Sequence, residues 1–454
     1  MEVNTSIFKA YDIRGIYPDQ LDEEIAYRVG KAYSELLKKE NQGKSLEIVV
    51  GNDMRTSSPS IKESLIKGLT ESGLNVIDVG LVTTPTFYFA VSFYGYDGGV
   101  QVSASHNPKE YNGLKMVRAK AIPIGGETGI EEIKNMVVEN NFPASGQIGT
   151  VTKKEGIIEE EIESQRKNIE WNKIKPFKIV VDAANAMGSL DVEAMFKDLP
   201  CELVKMNFEL DGTFPVHPPD PLNEENLKLL QEEVVKNKAD LGIAPDGDGD
   251  RYFFVDEKGQ NVPQPILRGM MAQIELKDSP GATVCYDIRP GKITKEMIEE
   301  AGGNAVVTRV GHSLIKEKML QEDAIFGGES SGHYFYKLPY GTFEAPIVLV
   351  LKFLTYLSEQ DKPLSEVVSV YKKYFHTGEV NFEVEDKEGK MKDIEEKYSN
   401  CKINKLDGIS IDCGDYWFNV RASNTEPLLR FALEAKTKGI MEQKRDEIVK
   451  IIRG

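Results

Sequence analysis

The sequence predicts an α/β protein with three related α/β domains, built on mixed sheets, and a smaller C-terminal α+β domain. Short, continuously apolar runs alternate with helix-period segments through most of the chain, which is typical of buried strands in α/β layers. Beyond about Leu364, apolar and polar residues alternate instead, as in half-exposed strands, and a terminal helix follows from about Ile440.

Three segments of the chain resemble one another, and they begin at Leu46, Phe177 and Ala282. Each has a β-branched apolar run, a polar turn that carries an aspartate, a helix-period segment and a second apolar run. The turn aspartates are Asp53, Asp182 and Asp287. Any α/β protein contains such units, but three spaced copies favour three domains of similar design.

The length of 454 residues is too great for one ordinary core, so several domains are expected. The predicted domains are three α/β domains, at residues 1–150, 151–256 and 257–366, and an α+β domain at residues 367–454. We expect the acidic run from Ile157 to Glu161 to be a solvated helix face.

Composition and charge exclude several classes of partner. The net charge of −17 argues against a broad nucleic-acid or anionic-membrane surface. The most apolar long stretch, Ala345 to Leu357, is interrupted by Lys352 and is too short to span a bilayer. The N-terminus has no signal-peptide pattern, and the four cysteines show no CxxC spacing. We therefore expect reduced thiols in a cytoplasmic protein that binds no nucleic acid and no membrane.

The stretch VSASHNPKEYNGLK carries the first candidate site, at Ser105. Asn107 is a good N-cap, Pro108 suits a first helical position, and Glu110 stands where a capping-box acid belongs. Ser105 would then precede a helix start, whose free N–H groups favour an anion, so it could bear a phosphate or attack one. A plain surface turn with the same caps remains the alternative. Two neighbouring groups could transfer protons or carry positive charge: His106 and Lys115.

Three aspartates at alternate positions form the second candidate site. They are Asp246, Asp248 and Asp250. Alternate side chains of an extended segment share one face, and three converging carboxylates suit Mg²⁺. An EF-hand loop is excluded because its sixth position holds Arg251 rather than glycine, and because both flanks look like strands. A plain acidic turn is possible, but unpaired carboxylates repel one another, which favours a cation.

Two polar loops and two short motifs complete the candidates. The segment FGGESSGHYF presents Glu329, Ser331 and His333, which suit hydrogen bonding to hydroxyl groups, although Gly/Ser loops are common. The segment RASNTEPLLR has the composition of a phosphate cradle or of a polar turn between strands. The motifs KAYDIRG and VGHSLIK add Arg14, His312 and Lys316, each of which alone could be a satisfied structural residue.

Taken together and in this order, these motifs resemble those of the α-D-phosphohexomutase family over essentially the whole chain. The matching motifs are Tyr11–Gly15, Ser103–Pro108, Asp246–Arg251, Gly328–His333 and Arg421–Thr425. The resemblance implies four domains around a central cleft, which carry in order a phosphoserine loop, a metal-binding loop, a sugar-binding loop and a phosphate-binding loop. It also implies that hexose 1-phosphate and hexose 6-phosphate are interconverted through a phosphoserine and a hexose 1,6-bisphosphate.

The resemblance further implies a role for each matching residue. The implied catalytic residues are Ser105, His106, Lys115, Arg14, Arg251 and His333. The implied metal ligands are Ser105, Asp246, Asp248 and Asp250. The implied substrate-binding residues are Tyr11, His312, Lys316, Glu329, Ser331, Arg421, Ser423, Asn424 and Thr425. Mg²⁺ and hexose 1,6-bisphosphate, the latter as activator, are the implied cofactors, sugar phosphates are the implied partners, and we expect a monomer or small homo-oligomer.

Within the family the chain is most similar to the phosphomannomutase/phosphoglucomutase branch, because of His312 and Asn424. It departs from many relatives where they carry Asp-Asp-Gly, since it reads Phe343-Glu344-Ala345-Pro346. Three alternatives remain. They are a phosphoglucosamine mutase, a Mg²⁺-dependent sugar phosphatase and a catalytically silent sugar-phosphate binding protein.

Overall fold

The structure, a computed structural model, describes residues 3–144, 146–289, 291–422 and 428–454, with the backbone but not the side chain of Glu127. It forms two compact units. The larger unit comprises Met1–Val262 and Gly332–Ser365, and the smaller unit comprises Pro263–Ser331 and Glu366–Gly454.

The first sheet of the larger unit is mixed. Its strands are β1 (Ile13–Ile16), β2 (Glu47–Asn52), β3 (Asn75–Leu81), β4 (Gly98–Val102), β5 (Tyr111–Arg118) and β6 (Val151–Lys153). They lie in the order β1-β5-β4-β2-β3-β6, and β5 runs antiparallel to both of its neighbours. The helices are α1 (Glu23–Glu40), α2 (Ser58–Glu71), α3 (Thr84–Phe93) and α4 (Glu131–Glu139). Every residue of β4 is buried, as expected for a strand covered on both faces.

The second sheet of the larger unit follows in sequence. Its strands are β7 (Lys178–Asp182), β8 (Glu202–Met206), β9 (Leu241–Pro245) and β10 (Tyr252–Asp256), in the order β10-β9-β7-β8. Its helices are α5 (Ile157–Arg166), α6 (Gly188–Phe196) and α7 (Lys228–Asn237). The antiparallel partners β9 and β10 are joined by a six-residue connection, 246–251. This short connection brings its polar side chains together at one edge of the sheet.

The part of the chain that follows the second sheet, residues 264–359, contributes to both units. In the smaller unit it supplies α8 (Gln264–Asp278), β11 (Thr283–Asp287), α9 (Lys292–Glu300), β12 (Asn304–Thr308), α10 (His312–Gln321) and β13 (Phe326–Gly328). Strand β11 pairs in parallel with β12 and with β13. In the larger unit it supplies β14 (Tyr334–Leu338), β15 (Gly341–Glu344) and α11 (Pro346–Glu359). The chain returns to the smaller unit within α12 (Leu364–Ser369).

The C-terminal part of the smaller unit is an antiparallel sheet with helices, as predicted. Its strands are β16 (Phe375–Glu383), β17 (Lys402–Asn404), β18 (Ile409–Asp412), β19 (Tyr416–Ala422) and β20 (Leu428–Ala435), in the order β16-β20-β19-β18-β17. Its helices are α13 (Lys387–Lys397) and α14 (Lys438–Arg453). Helix α13 occupies residues that were expected to alternate as a strand. The terminal helix was predicted correctly.

The three repeated segments are confirmed as β-α-β units. The pairs β2–β3, β7–β8 and β11–β12 are all parallel, and a helix follows the first strand of each pair. In each β-α-β repeat the turn aspartate lies at the carboxyl end of the first strand. Asp53 accepts hydrogen bonds from Arg55, Asp182 from His217, and Asp287 from Arg268 and Arg289. The same strand position therefore anchors a different loop in each repeat.

Two expectations from the sequence are wrong. Cys401 and Cys413 form a disulfide rather than two reduced thiols, because the register of β17 and β18 places them 4.9 Å apart between Cα atoms. Cys201 and Cys285 are free. The acidic run of α5 is not wholly solvated, because Glu161 is buried at its C-terminal end. Among the described residues, no helix combines the length and the hydrophobicity that a bilayer crossing requires.

Candidate active site

Ser105 lies in the connection between the antiparallel strands β4 and β5. Residues 103–110, all of which the structure describes, form turns and contain no helix, so the predicted helix start is wrong. Asn112 and Gly113 continue as strand β5 instead, because pairing with β1 and β4 overrides the local capping signal. Ser105 has a positive φ of 49°, and its backbone N–H donates to Ser103 Oγ over 3.0 Å. The serine is thus held by its own turn rather than by a helix terminus.

Arg55 holds the backbone of this turn, and the sequence analysis missed it. Its buried guanidinium donates to carbonyl oxygens of the turn and of the following strand. These acceptors are Ser105 (2.7 Å), Asn107 (2.6 Å), Pro108 (2.7 Å) and Tyr111 (3.0 Å). Asp53 orients the guanidinium by accepting from Nε over 3.1 Å. The available signal was the repeat aspartate, since Arg55 follows Asp53 by only two residues.

The three aspartates of the connection between β9 and β10 converge as predicted. Asp246, Asp248 and Asp250 are buried, and one carboxylate oxygen of each lies within 4.8 Å of the others. They converge in a turn rather than in an extended segment, because Asp246 Oδ1 accepts from the backbone N–H groups of Asp250 and Arg251. The side chain of the first aspartate therefore closes the turn that presents the other two.

This aspartate turn contacts the serine turn directly. Ser105 Oγ donates to Asp246 Oδ2 over 3.0 Å. Gly247 permits the approach, because a Cβ atom at that position would lie 2.3 Å from the carbonyl oxygen of Ser105. On the other side, Thr84 donates to Asp248 Oδ2 over 2.5 Å, so helix α3 also fixes the turn. Serine and aspartates thus form one rigid cluster between the two sheets of the larger unit.

Positive groups balance part of the carboxylate charge. Lys115 Nζ donates to Asp248 Oδ2 over 2.6 Å and to Asp250 Oδ2 over 2.7 Å. Burial favours the neutral amine, but the two carboxylates dominate and hold the pKa of Lys115 well above its usual value. Arg251 Nε lies 3.6 Å from Asp246 Oδ2. Lys115 is therefore a fixed cation in this structure.

The aspartate cluster could bind a metal ion. Burial, and then the charges of Asp250 and Asp248, raise the pKa of Asp246 well above its usual value. In addition, Asp248 Oδ1 is buried and has no hydrogen-bond partner in the described part of the chain. A cation would relieve both the repulsion and the unsatisfied oxygen. Three converging carboxylates are the oxygen-rich donor set that hard divalent cations prefer.

His106 and Arg14 lie beside the serine. His106 Nδ1 is 3.2 Å from Ser105 Oγ. Burial, and then the charges of Arg251 and Arg14, lower the pKa of His106 well below its usual value, so the imidazole is neutral at pH 7. Arg14, in β1, donates to Asn107 Oδ1 over 2.5 Å and also pairs with Asp12. Tyr11 is half-buried and immediately precedes this pair.

His333 joins the aspartate cluster from the start of the β14–β15 hairpin. Its Nε2 lies 3.2 Å from Asp250 Oδ1 and 3.2 Å from Arg251 Nε. Nε2 thus has a hydrogen-bond acceptor and a hydrogen-bond donor as neighbours. The departing segment Phe343–Pro346 ends this same hairpin, and it brings Glu344 to the cluster. The carboxylate of Glu344 lies within 4.8 Å of both His333 and Asp250. The sequence analysis identified the departure but not where Glu344 would lie.

Two of the three predicted sugar-loop residues, Glu329 and Ser331, come together in the smaller unit, whereas His333 belongs to the larger unit. Glu329 accepts from the backbone N–H of Gly311 over 2.8 Å and from Ser331 Oγ over 3.0 Å. Gly311 precedes α10, so this bond places the loop beside the first turn of that helix, which carries His312 and the buried Lys316. Arg289, which the sequence analysis missed, donates to Ser331 Oγ over 3.4 Å. Because Asp287 holds Arg289, the third repeat aspartate organises this loop.

The predicted phosphate loop is described only at its first two residues. Arg421 is buried in β19 and pairs with Glu379 of β16. Glu379 also accepts from Arg430 over 3.3 Å. The other predicted members lie outside the described residues: Ser423, Asn424 and Thr425. The roles assigned to all four residues therefore remain predictions.

A buried serine hydroxyl bonded to one of three clustered carboxylates is the arrangement of a metal-assisted phosphoryl-transfer enzyme. The chain matches the Phosphoglucomutase/phosphomannomutase family in four consecutive parts. They are alpha/beta/alpha domain I (residues 5–144), alpha/beta/alpha domain II (159–259), alpha/beta/alpha domain III (266–374) and the C-terminal domain (379–451).

Full-length relatives agree with this match. The chain is 38% identical to a phosphomannomutase of Vibrio cholerae, over 98% of each protein. It is 41% identical to a phosphomannomutase of Methanocaldococcus jannaschii, over 98% of this chain and 97% of the relative. A crystal structure of a phosphoglucomutase/phosphomannomutase family protein from Burkholderia thailandensis superposes with a TM-score of 0.91 at 30% identity, covering 99% of this chain and 98% of that one.

The chain belongs to the phosphoglucomutase/phosphomannomutase family. It is a phosphohexomutase, an enzyme that transfers a phosphoryl group within a sugar phosphate. The resemblance drawn from the sequence motifs is confirmed. The domain boundaries predicted from the sequence, and the individual roles of the site residues, remain predictions.

Proposed function

We propose that this enzyme interconverts the 1-phosphates and 6-phosphates of mannose and glucose, through a phosphoserine at Ser105 and a hexose 1,6-bisphosphate. The observation that carries the proposal is the contact of Ser105 Oγ with Asp246 Oδ2, 3.0 Å apart, inside the buried aspartate cluster. A serine that carries the phosphoryl group needs a nearby cation to neutralise the phosphate. This position supplies the ligands for one.

Mg²⁺ fits the donor set of the cluster. The residues that would hold it are the three aspartates, together with the phosphate on Ser105. When bound, the ion would neutralise charge on the phosphoryl group and make it a better electrophile. Lys115 keeps its positive charge against two of the carboxylates, and it can stabilise the equatorial phosphoryl oxygens.

The transfer itself requires a nucleophile and a proton acceptor. In the first half, a free hydroxyl of the sugar monophosphate attacks the phosphorus, and the bond from phosphorus to Ser105 Oγ breaks. The hydroxyl proton must leave, and the product is the 1,6-bisphosphate. In the second half, after the bisphosphate has turned over in the site, Ser105 Oγ attacks the phosphorus of the other phosphate, and the bond from that phosphorus to the sugar oxygen breaks. The sugar oxygen is protonated as the second sugar monophosphate departs. The serine oxygen takes up a proton in the first half and gives it up in the second, and the sugar oxygens do the reverse, so phosphate and protons balance over the cycle. The bisphosphate, added in trace amounts, would rephosphorylate a serine that has lost its phosphate and thereby act as activator.

We assign the proton of the substrate hydroxyl to His333 rather than to Lys115 or His106. Lys115 is held as a cation by two carboxylates. Burial and the charges of Arg251 and Arg14 lower the pKa of His106, so it is a weak proton acceptor. His333 Nε2 faces both an acceptor and a donor, so it has a partner with or without a proton. Arg14 and Arg251 are assigned to the phosphoryl oxygens, because both guanidinium groups lie beside the serine turn or the aspartate turn.

Substrate recognition is assigned to the smaller unit and to the segment that precedes β1. Glu329 and Ser331 would bind sugar hydroxyls, with Tyr11, His312 and Lys316 around the substrate. The phosphate that is not being transferred would bind at Arg421, Ser423, Asn424 and Thr425. The relatives from Vibrio cholerae and Methanocaldococcus jannaschii are named phosphomannomutases, and His312 and Asn424 also favour mannose and glucose over glucosamine.

A side-by-side assay tests the substrate. Mannose, glucose and glucosamine 1-phosphates are supplied at equal concentration with Mg²⁺ and a trace of glucose 1,6-bisphosphate, and isomer formation is followed. We expect turnover of the first two and poor use of the third. A clear preference for glucosamine 1-phosphate would establish the phosphoglucosamine mutase instead. Release of inorganic phosphate without isomer formation would establish the phosphatase.

A second experiment tests the phosphoserine. Intact mass and peptide mapping of the isolated protein should place one phosphate on Ser105. Ser105→Ala should abolish interconversion, and Ser369→Ala, at an exposed serine of α12, is the matched control that should remain active. Activity in Ser105→Ala would refute the mechanism and would also exclude the serine-dependent phosphatase.

Cytoplasmic location and assembly as a monomer or small homo-oligomer are also proposed. Reduced thiols no longer support the cytoplasmic location, because Cys401 and Cys413 form a disulfide.

A further inference from the structure

Glu344 is a buried carboxylate within the aspartate cluster that the proposed reaction does not use. It is the last residue of β15, and the antiparallel register places it opposite Phe335 of β14. His333 precedes Phe335 by two residues, so the side chains of His333, Phe335 and Glu344 share one face of the hairpin. The imidazole of His333 also stacks on the ring of Phe335, with centroids 6.0 Å apart.

Glu344 lies in a buried cluster with His333 and Asp250. His333, Glu344 and Asp250 are all buried, and one ligand atom of each lies within 4.8 Å of the other two. Burial, and then the charge of Glu344, raise the pKa of the Tyr88 phenol in α3 well above its usual value. Burying a carboxylate is costly unless charged or hydrogen-bonding groups stabilise it, so this placement needs a compensating interaction.

A flat imidazole that is held on only one side can rotate about χ2 and lose its alignment. His333 Nε2 points to Asp250 and Arg251, and Phe335 stacks on the ring face. Neither contact alone fixes the rotation of the ring. Carboxylates that accept from metal-ligating histidines fix the orientation of the imidazole, and their loss typically lowers metal affinity or activity about 10- to 100-fold. We expect an effect of the same size at His333.

We propose that Glu344 is a positioning residue for His333, and that its carboxylate keeps the imidazole directed toward Asp250 and Arg251. This inference rests on the proposed function, in which His333 serves the substrate hydroxyl. Glu344 itself does not touch substrate in the proposal. The segment Phe343–Pro346 thus carries a carboxylate at the position beside His333.

The test compares three variants in steady-state kinetics with the preferred hexose 1-phosphate. In Glu344→Gln, which keeps the size but removes the charge, we expect kcat to fall about 10- to 100-fold while KM stays within about twofold. Glu344→Asp keeps the charge and should recover part of kcat. Glu366→Gln, at an exposed position of α12, should be unchanged.

A double-mutant cycle separates positioning from general structural damage. If Glu344 acts through His333, adding Glu344→Gln to His333→Ala should cause no further loss of kcat. Losses that multiply in the double variant would overturn the proposal, and so would an unchanged kcat in Glu344→Gln. If Glu344→Gln does not fold, Glu344→Asp alone carries the test. It should then lower kcat at constant KM, and a wild-type kcat would overturn the proposal.

Failure of the proposed function has a different signature. If the enzyme prefers another hexose phosphate, the substrate assay shows it, and the same cycle is measured with that substrate. If Ser105→Ala remains active, the phosphoserine mechanism falls, whatever the Glu344 variants do.

Discussion

Asp191 of α6 and Glu161 of α5 share one hydroxyl group in the interior of the larger unit. Thr86 Oγ1 donates to Glu161 Oε2 over 2.6 Å and lies 3.4 Å from Asp191 Oδ1. Thr83 Oγ1 donates to Asp191 Oδ2 over 2.8 Å. No cation accompanies this pair among its described hydrogen-bond partners. Burial raises the pKa of Asp191 to about 7 and raises that of Glu161 well above its usual value.

Because of this pair, we expect the free energy of unfolding to fall as the pH rises. The folded state binds the proton more tightly than the unfolded state, whose aspartate pKa is about 3.9. The contribution of the pair is therefore complete below about pH 4 and is lost as the pH rises through about 7. Asp191→Asn should flatten the decline of the unfolding free energy between pH 5 and pH 8, by an amount on the order of 2–4 kcal/mol.

Urea denaturation at several pH values measures this decline. Asp393→Asn, at an exposed aspartate of α13, is the control and should follow the wild type. Equal pH slopes for Asp191→Asn and the wild type would show that the pair does not hold the extra proton.

Arg55→Lys tests the support of the serine turn. Lysine keeps the charge but cannot reach four carbonyl oxygens at once, because it lacks the planar fork of arginine. We expect kcat to fall about 10²-fold and the unfolding free energy to fall by about 1–3 kcal/mol. Kinetics and urea denaturation measure the two effects, with Arg445→Lys on α14 as the control. Wild-type kcat in a stable Arg55→Lys enzyme would contradict the role given to this side chain.

Asp248→Asn tests the metal site. The amide removes a negative charge from the cluster, so Mg²⁺ affinity should weaken and turnover should drop strongly, with the fold preserved. Titrating activity with Mg²⁺ after chelation with EDTA measures the effect, and circular dichroism checks the fold. Asp278→Asn, exposed on α8, should behave as the wild type. Full activity of Asp248→Asn at limiting Mg²⁺ would falsify the assignment.

The disulfide predicts a measurable contribution to stability. Cys401 and Cys413 are separated by 12 residues, and closing a loop of this length is worth about 3 kcal/mol in the chain-entropy model. The double variant Cys401→Ser/Cys413→Ser should lose about this amount, and a reductant should destabilise the wild type but not the variant. Urea denaturation with and without the reductant measures the free energy of unfolding of both proteins. A wild-type protein whose free energy of unfolding does not change under reduction would argue against the disulfide.

The parts of this fold that follow local pattern were predictable. Apolar runs and helix periods identified the three β-α-β repeats, and the alternating aspartates identified the carboxylate cluster. The helix after Ser105 was predicted wrongly because Asn107 and Pro108 are good local capping signals, whereas the pairing of β5 depends on strands elsewhere in the chain. Arg55 and Glu344 escaped prediction for the same reason. Their partners are brought near by sheet topology, which single-residue patterns do not encode.

The three repeat aspartates have a consequence for how such an enzyme can diversify. Asp53 accepts a hydrogen bond from Arg55, which holds the serine turn, and Asp182 accepts one from His217. Asp287 accepts from Arg268 and Arg289, which both contact the sugar loop. The first and third of these aspartates hold the arginine two residues further along the chain, whereas the second holds a histidine from a later loop. A loop that is fixed at the end of a buried strand can change in sequence beyond the fixed point, while the strands and helices beneath it stay the same.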